Sequence, residues 1–225
     1  MIRCQATAPD PGQGMAYEFL PLAYSYADLA PAMSEKTARW HHDVVHRGYL
    51  AAINNLLAPY PDIATLTIEQ VLSHPERLPD AIYDEARFQG GGHANHQFTW
   101  KILGAKRGTK PSPSLGAKID ETFGSFGAFI AAFKTAALSL HGEGWVFLSL
   151  AVPRTPEIEI VVRRGNDNVL EIRKPGILLC DLWEHGYHDD HHGDREAWLD
   201  AYLQVLDWTQ CSIRYDCLVA GQPTP

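Results

Sequence analysis

A chain of 225 residues with 45% apolar side chains can bury a sizeable core as one domain or two small ones, and no apolar run approaches the roughly 18 residues a membrane span needs. Its formal charge of −8, from 19 basic and 27 acidic side chains, argues against nonspecific nucleic-acid binding. Cys4, Cys180, Cys211 and Cys217 form no C-x-x-C pair, which suggests reduced thiols in a cytoplasm-like compartment rather than a zinc or disulfide framework.

Residues 1–18 contain Pro and Gly but no apolar h-region, and they read as a loose N-terminal extension rather than a secretion signal. An irregular lead-in over Leu20–Tyr24 and Ala27–Pro31 precedes Ser34, a good N-cap, and a long helix is predicted from Glu35 to Leu57, stopped by Pro59 and Pro61. His41, Val45 and Tyr49 fall at i, i+4 and i+8 on one face of it. Residues 58–80 form a proline-punctuated connection with a short helix at Thr67–Leu72, followed by a second long helix from about Pro79 to Leu103. Gly90-Gly-Gly92 is its weak point, and three glycines there suggest that another element or a ligand packs very close.

The Gly, Pro, Ser and Lys of Lys106–Leu115 mark a boundary between units 19–105 and 106–225. A helix is expected at Ile119–Leu140, strands at Gly144–Val152, Glu157–Val162 and Val169–Leu179, and a last helix at Tyr187–Trp208 before a tail that frays after Val219. The fold class is therefore α/β of the α+β kind: an N-terminal helical hairpin, then a C-terminal domain with a three-stranded antiparallel sheet and flanking helices.

Asp181-Leu-Trp-Glu-His185 offers two metal ligands at i and i+4 where a strand turns into a helix. An isolated D-x-x-x-H is better explained by Asp181 capping the helix and His185 packing. Imidazoles beside aromatics recur, however, at His41 with Tyr49 and at Asn95-His96 with Phe98 and Trp100. Imidazoles with one carboxylate and no cysteine suit iron, manganese or a non-structural zinc. His42 and His46 form a competing i, i+4 pair with no carboxylate, and His46 otherwise hydrogen-bonds within the fold. Asp189–Asp194, with His191 and His192, reads as a solvated helix turn.

Taken in order, Leu22-Ala-Tyr-Ser-Tyr26 with Leu29-Ala-Pro31, Gly90-Gly-Gly-His-Ala-Asn-His96 with Phe98 and Trp100, Gly142-Glu-Gly-Trp145, and Asp181-Leu-Trp-Glu-His185 with Tyr187 and Arg195 resemble the iron/manganese superoxide dismutases from about Phe19 to Trp208. The resemblance implies one manganese or iron ion per subunit held by His41, His96, Asp181 and His185. It also implies Tyr49 at the substrate entrance, Trp145 and Trp183 as walls, and a homodimer in which Glu184 reaches the partner's His185. The implied activity is disproportionation of superoxide, without nucleic acid or membrane as partner, in the cytoplasm. Electron uptake coupled to proton uptake leaves the charge of such a site unchanged, which matters in a pocket of low dielectric.

Two departures accompany the match. A gateway histidine and its tyrosine partner are replaced by Val45 and His188, which predicts a more apolar entrance. The glutamine that bonds the metal's solvent is absent both from Gly92 and from the turn near Arg164–Asn168, where Asn166 and Asp167 stand instead. Asp167 in that slot would have to be protonated to donate, or else would favour the oxidised metal and alter the reduction potential. A metal-binding homologue with another redox activity on a small organic molecule, or a non-enzymatic metal-storage or assembly protein, are the alternatives.

Overall fold

A computed structural model describes residues 17–104, 106 and 108–224. Most of the extension, including Cys4, lies outside the described residues. The Ser34 hydroxyl accepts a hydrogen bond from the Thr37 N–H and starts α1, Glu35–Trp40. The single helix expected up to Leu57 is not uniform. A π-helical turn, His41–His46, separates α1 from α2, Arg47–Leu57. Five α-helical residues turn the chain by about 500°, leaving i and i+5 roughly 140° apart. The i→i+5 register brings His41 and His46 onto the same buried face, and π turns of this kind are frequent at functional sites.

Two short helices follow, α3 Pro61–Ala64 and α4 Ile68–Ser73, the second opened by a Thr67–Gln70 capping box. The helix α5, Tyr83–Ile102, then runs unbroken through Gly90-Gly-Gly92. The expected weak point is instead a contact surface. A Cβ at Gly91 would lie 2.1 Å from the Asn166 carbonyl oxygen, and one at Gly92 would lie 2.5 Å from the Tyr49 ring. Ile53, Leu57, Ile68, Val71 and Leu72 fill a small core between α2, α4 and α5.

The second half begins with α6, Pro113–Phe123, and α7, Phe126–Leu138. One helix was expected over 119–140, but Gly124 adopts φ +90° and Ser125 caps α7 by accepting from the Ala128 N–H. The strands β1 Gly144–Leu150, β2 Ile158–Arg164 and β3 Gly176–Asp181 form an antiparallel sheet in the order β2-β1-β3, with Trp145 opposite Asp181. The third strand is shorter than expected, because the Asn168 side chain caps a 3-10 turn at Val169–Ile172. The expected helix over 187–208 is two, α8 Glu184–His191 and α9 Arg195–Val205, parted where His192 and Gly193 take positive φ and Asp194 caps α9. Residues beyond it also fold, as α10 Trp208–Val219 behind an Asp207 cap.

Phe129, Phe133, Trp145, Phe147, Leu178, Trp198 and Tyr202 build the main core around β1. A bridge between Leu103 and Leu206 ties the end of α5 to this half. Cys180 and Cys211 are buried free thiols. Cys217 is disulfide-bonded, which corrects the reading of all four cysteines as reduced.

Candidate metal centre

Four elements each deliver one ligand: His41 from the π turn, His96 from α5, Asp181 from the last position of β3 and His185 from α8. Their donor atoms all lie within 4.8 Å of one another. Three are almost fully buried, and only the His185 side chain, 13% exposed, meets solvent.

The local structure aims each donor. Asp181 Oδ1 accepts the Trp183 backbone N–H at 2.8 Å, and the Asp181 carbonyl accepts the Trp198 indole N–H at 2.7 Å. Oδ2 is thereby turned inward, 3.3 Å from His41 Nε2, 3.2 Å from His185 Nε2 and 3.9 Å from His96 Nε2. His96 donates its Nδ1–H to the Gly92 carbonyl at 2.6 Å, leaving the Nε2 lone pair for the centre. That Nε2 faces His185 Nε2 at 3.3 Å. Neither nitrogen of His41 has a hydrogen-bond partner, although both are buried.

Burial holds the His41 imidazole below its ordinary value and the His96 imidazole well below it, so both are neutral at neutral pH. Burial alone would raise the Asp181 carboxyl, but His185 and His41 beside it hold it well below the usual carboxylate range. One carboxylate and convergent imidazole nitrogens, among them a buried His41 Nε2 without a hydrogen-bond partner, are the donor set of a first-row cation. Manganese and iron fit it.

Aromatic rings enclose the cluster. Trp145 and Tyr49 pack on His96 with centroids 5.1 and 5.2 Å away, Trp100 meets His41 edge-on at 5.0 Å, and Trp183 stacks on His185 at 5.6 Å. Over His185 opens a cleft of about 1180 Å³, lined by Trp40, Val44, Arg39, Glu184 and His188 among others. The expected apolar entrance is therefore mixed: Val45 is half-buried, and His188 lies exposed on the cleft wall.

Asp167 does not face the centre. Its carboxylate is 43% exposed and pairs with Arg87 and Arg163 at 3.3 Å each, so the arginines draw it outward. Asn166 is the buried neighbour, and its Oδ1 accepts the Trp145 indole N–H at 3.3 Å. His42 and His46 do not form a second site. His42 bonds to Tyr26, Asp43 and the Leu20 carbonyl, while His46 lies behind His96, stacked on it at 5.7 Å. An indole only donates, so the Trp100 N–H at 3.2 Å makes His46 Nδ1 an acceptor, and His46 Nε2–H then donates to His93 Nδ1 at 3.0 Å.

Sequence reasoning gave no role to His93 or to the clamp that Asn95 makes across the seam. Asn95 accepts from Asn168 Nδ2 at 2.6 Å and donates to the Asn166 carbonyl at 3.3 Å. The glycine at position 91 was the available sign that a backbone approaches there.

The buried His46–His93 pair sets an acid limit on stability. Burial pushes His46 down to about 2 and His93 down to about 4, from an ordinary value near 6.5. The unfolded chain therefore binds more protons below pH 6.5, and stability present above that value is lost as pH falls. For His93 the loss runs from pH 6.5 to about 4 and amounts to on the order of 3 kcal/mol. Urea unfolding of metal-free protein between pH 7.5 and 4.5 is expected to give a falling midpoint, with a shallower fall in His93→Gln. Parallel pH profiles for the two proteins would refute it.

The alpha-hairpin domain of the iron/manganese superoxide dismutases matches residues 16–104, and their C-terminal domain matches residues 111–214. The chain is 35% identical over 198 residues to "Superoxide dismutase [Mn] 1" of Leptolyngbya boryana, covering 87% of this chain and 79% of that protein. It is 32% identical over 202 residues to "Superoxide dismutase [Mn]" of Listeria monocytogenes, covering 90% and 98%. It is 35% identical over 202 residues to "Superoxide dismutase [Mn/Fe]" of Methylomonas sp. strain J, covering 89% and 98%.

Proposed function

The chain belongs to the iron/manganese superoxide dismutase family, and we infer from that membership and from four converging side chains that it disproportionates superoxide at one manganese or iron ion per subunit. Two superoxide anions and two protons give dioxygen and hydrogen peroxide. The single observation that carries the reading is the donor cluster at the seam between the hairpin unit, 19–105, and the second unit, 106–225.

In this reading His41, His96, Asp181 and His185 hold the ion, which when bound supplies one-electron chemistry. The remaining residues govern access and protons. His185 is the exposed edge of the site, and Tyr49, packed on His96, stands at the substrate entrance. Trp145 and Trp183 exclude bulk water and hold the ligand rings in place. Burial raises the Tyr49 hydroxyl above its ordinary value, so it stays a neutral phenol that donates a hydrogen bond rather than repelling an anion. His46 positions His96 from behind through the Trp100–His46–His93 chain.

The cleft over His185 supports a homodimer. Trp40 and Val44 stand 47% and 56% exposed there beside Arg39, Lys36 and Glu184, a mixed surface that a second copy would cover, with Glu184 directed at the partner subunit's His185. Sedimentation is expected to give a dimer, and Glu184→Ala to shift it towards monomer; a monomeric parent would refute this. No helix among the described residues is long and apolar enough to cross a membrane. The free Cys180 and Cys211 thiols support a cytoplasmic enzyme, and the Cys217 bond is the observation against it. Cell fractionation decides.

The functional test is metal analysis together with a superoxide disproportionation assay on manganese-loaded and iron-loaded protein. About one ion per chain and activity in at least one form are expected. Full metal with no activity in either form would favour a different redox reaction, and failure to bind either ion would remove the reading.

A further inference from the structure

Two cavities that share no described lining residue with the cleft over His185 adjoin each other behind the metal centre. One, of about 550 Å³, reaches in to His46 and Trp100, the side chains that pack on His96 and His41. The other, of about 390 Å³, lies between Phe98, Leu170 and Leu218. Both are of a size that takes a small organic molecule. Gln97, Lys101 and Arg214 line both, so these three side chains form the ridge between them.

The charge of the ridge runs against that of the protein. The chain carries −8, yet among the described residues of the larger cavity Lys101, Lys106 and Arg214 face a single carboxylate, Asp207, which is already used in accepting the Thr209 N–H. Arg214 is fixed in place. Its Nε and Nη2 donate to the Gly176 carbonyl at 3.4 and 3.3 Å, and its guanidinium lies 3.9 Å over the Phe98 ring. Burial pushes it down to about 10, which still leaves a cation at neutral pH. Lys101 is open to solvent in the last turn of α5, and among the described residues its ammonium has no ion pair or hydrogen bond, although Glu69 stands on the rim of the smaller cavity. The cavity walls and then the Arg214 charge hold that ammonium below its ordinary value, with Glu69 acting the other way. Two cations held together in a recess repel each other, and an anion bound between them turns that cost into attraction.

We propose that the Lys101–Arg214 ridge binds the oxyanion group of a small organic acid or phosphate ester, whose apolar body lies in the larger cavity against Trp100. The ridge supplies ammonium and guanidinium donors for a carboxylate or phosphate, and the cavity beyond supplies Leu22, Leu103 and the indole for a ring or short hydrocarbon body. Nucleic acid does not fit, because the cations sit in a recess of one small molecule's size on an acidic protein. The inference goes beyond the dismutase reading and does not depend on it, since this ligand is separate from the anion that reaches the metal.

Titration calorimetry of the metal-loaded protein with para-nitrophenyl phosphate, inorganic phosphate and para-nitrobenzyl alcohol tests it. The ester is expected to bind once per chain and about tenfold or more tighter than inorganic phosphate, which lacks the body, or the alcohol, which lacks the charge. Lys101→Met is expected to weaken the ester about tenfold at unchanged metal content and melting temperature. Lys101→Arg, which restores the charge, is expected to bind it within about threefold of the parent. Azide at saturation occupies the metal and is expected to leave the ester's affinity unchanged. No binding of the ester at millimolar concentration, equal affinity for ester and alcohol, an undiminished affinity in Lys101→Met, or competition by azide would each overturn the proposal.

Discussion

Asp181→Asn is expected to leave a folded protein that retains less than about one ion per ten chains, with dismutase activity down at least about a hundredfold. The substitution is nearly isosteric. Its Oδ1 still accepts the Trp183 N–H, and the Asp181 carbonyl that anchors Trp198 is untouched. What disappears is the only negative charge among the four donors. The inward atom changes as well, from a carboxylate oxygen to an amide N–H facing His41 and His185, 3.3 and 3.2 Å away in the native geometry. That N–H satisfies an imidazole lone pair directly, so the amide does for the metal-free pocket part of what the cation does for the native one. Metal-free Asp181→Asn is therefore expected to melt no lower than the metal-free parent, while losing the rise in melting temperature that manganese gives the parent. Elemental analysis and paired melts with and without manganese check both halves, and stoichiometric metal in the purified variant would sink the assignment.

That rise has a structural origin. His41 and His96 come from the hairpin half, and Asp181 and His185 from the sheet half, so one ion links two units that are also joined by helix–sheet packing, the Arg87 ion pairs with Asp167 and Glu171, the Asn95 clamp, the Leu103–Leu206 bridge and other polar contacts. A ligand that binds only the assembled form stabilises it in proportion to the logarithm of its concentration over its dissociation constant. Substrate access and stability meet at the same seam.

Much of this arrangement was legible in the sequence. The Asp181–His185 spacing at a strand-to-helix junction, the Ser34 cap and the first two strands follow from local chemistry, and each appears in the structure within a few residues. The π turn was not legible, because an i→i+5 register inserts one residue into a pattern that otherwise reads as ordinary helix. His192 and Gly193 divide one apolar periodicity into α8 and α9 through backbone conformation, which hydrophobic spacing does not encode. The choice between Asn166 and Asp167 is settled by Arg87 and Arg163, one distant in sequence and one on the preceding strand, both drawing the carboxylate outward. Only the partners decide which one enters the pocket.

The glycine run allows the sharpest stability comparison in the molecule. In a helix interior Gly→Ala ordinarily stabilises by about 0.8–1 kcal/mol. Gly48 lies in α2 with nothing within 4 Å of a new Cβ, and Gly48→Ala is expected to gain that amount. Gly91→Ala brings the same intrinsic gain but sets its Cβ 2.1 Å from the Asn166 carbonyl oxygen and 3.1 Å from the carbonyl carbon. Those are backbone atoms. They are pinned by Asn95 Nδ2 at the carbonyl itself and by the Trp145 indole through the side chain, so relief requires moving the strand turn away from α5. Overpacking of this kind costs typically 1–3 kcal/mol and occasionally more, and with rigid atoms on both sides the upper part of that range applies. The net expectation is a loss of about 2 kcal/mol, or roughly 4–8 °C in melting temperature for a chain of this size. In Gly92→Ala the obstacle is the Tyr49 ring at 2.5 Å, a side chain that can rotate aside, so stability is expected to fall less than in Gly91→Ala while the position of the phenol changes. Thermal melts of the three single variants give the order directly. A Gly91→Ala protein that melts at or above the parent would mean that α5 and the turn are not in contact, and the seam described above would have to be redrawn.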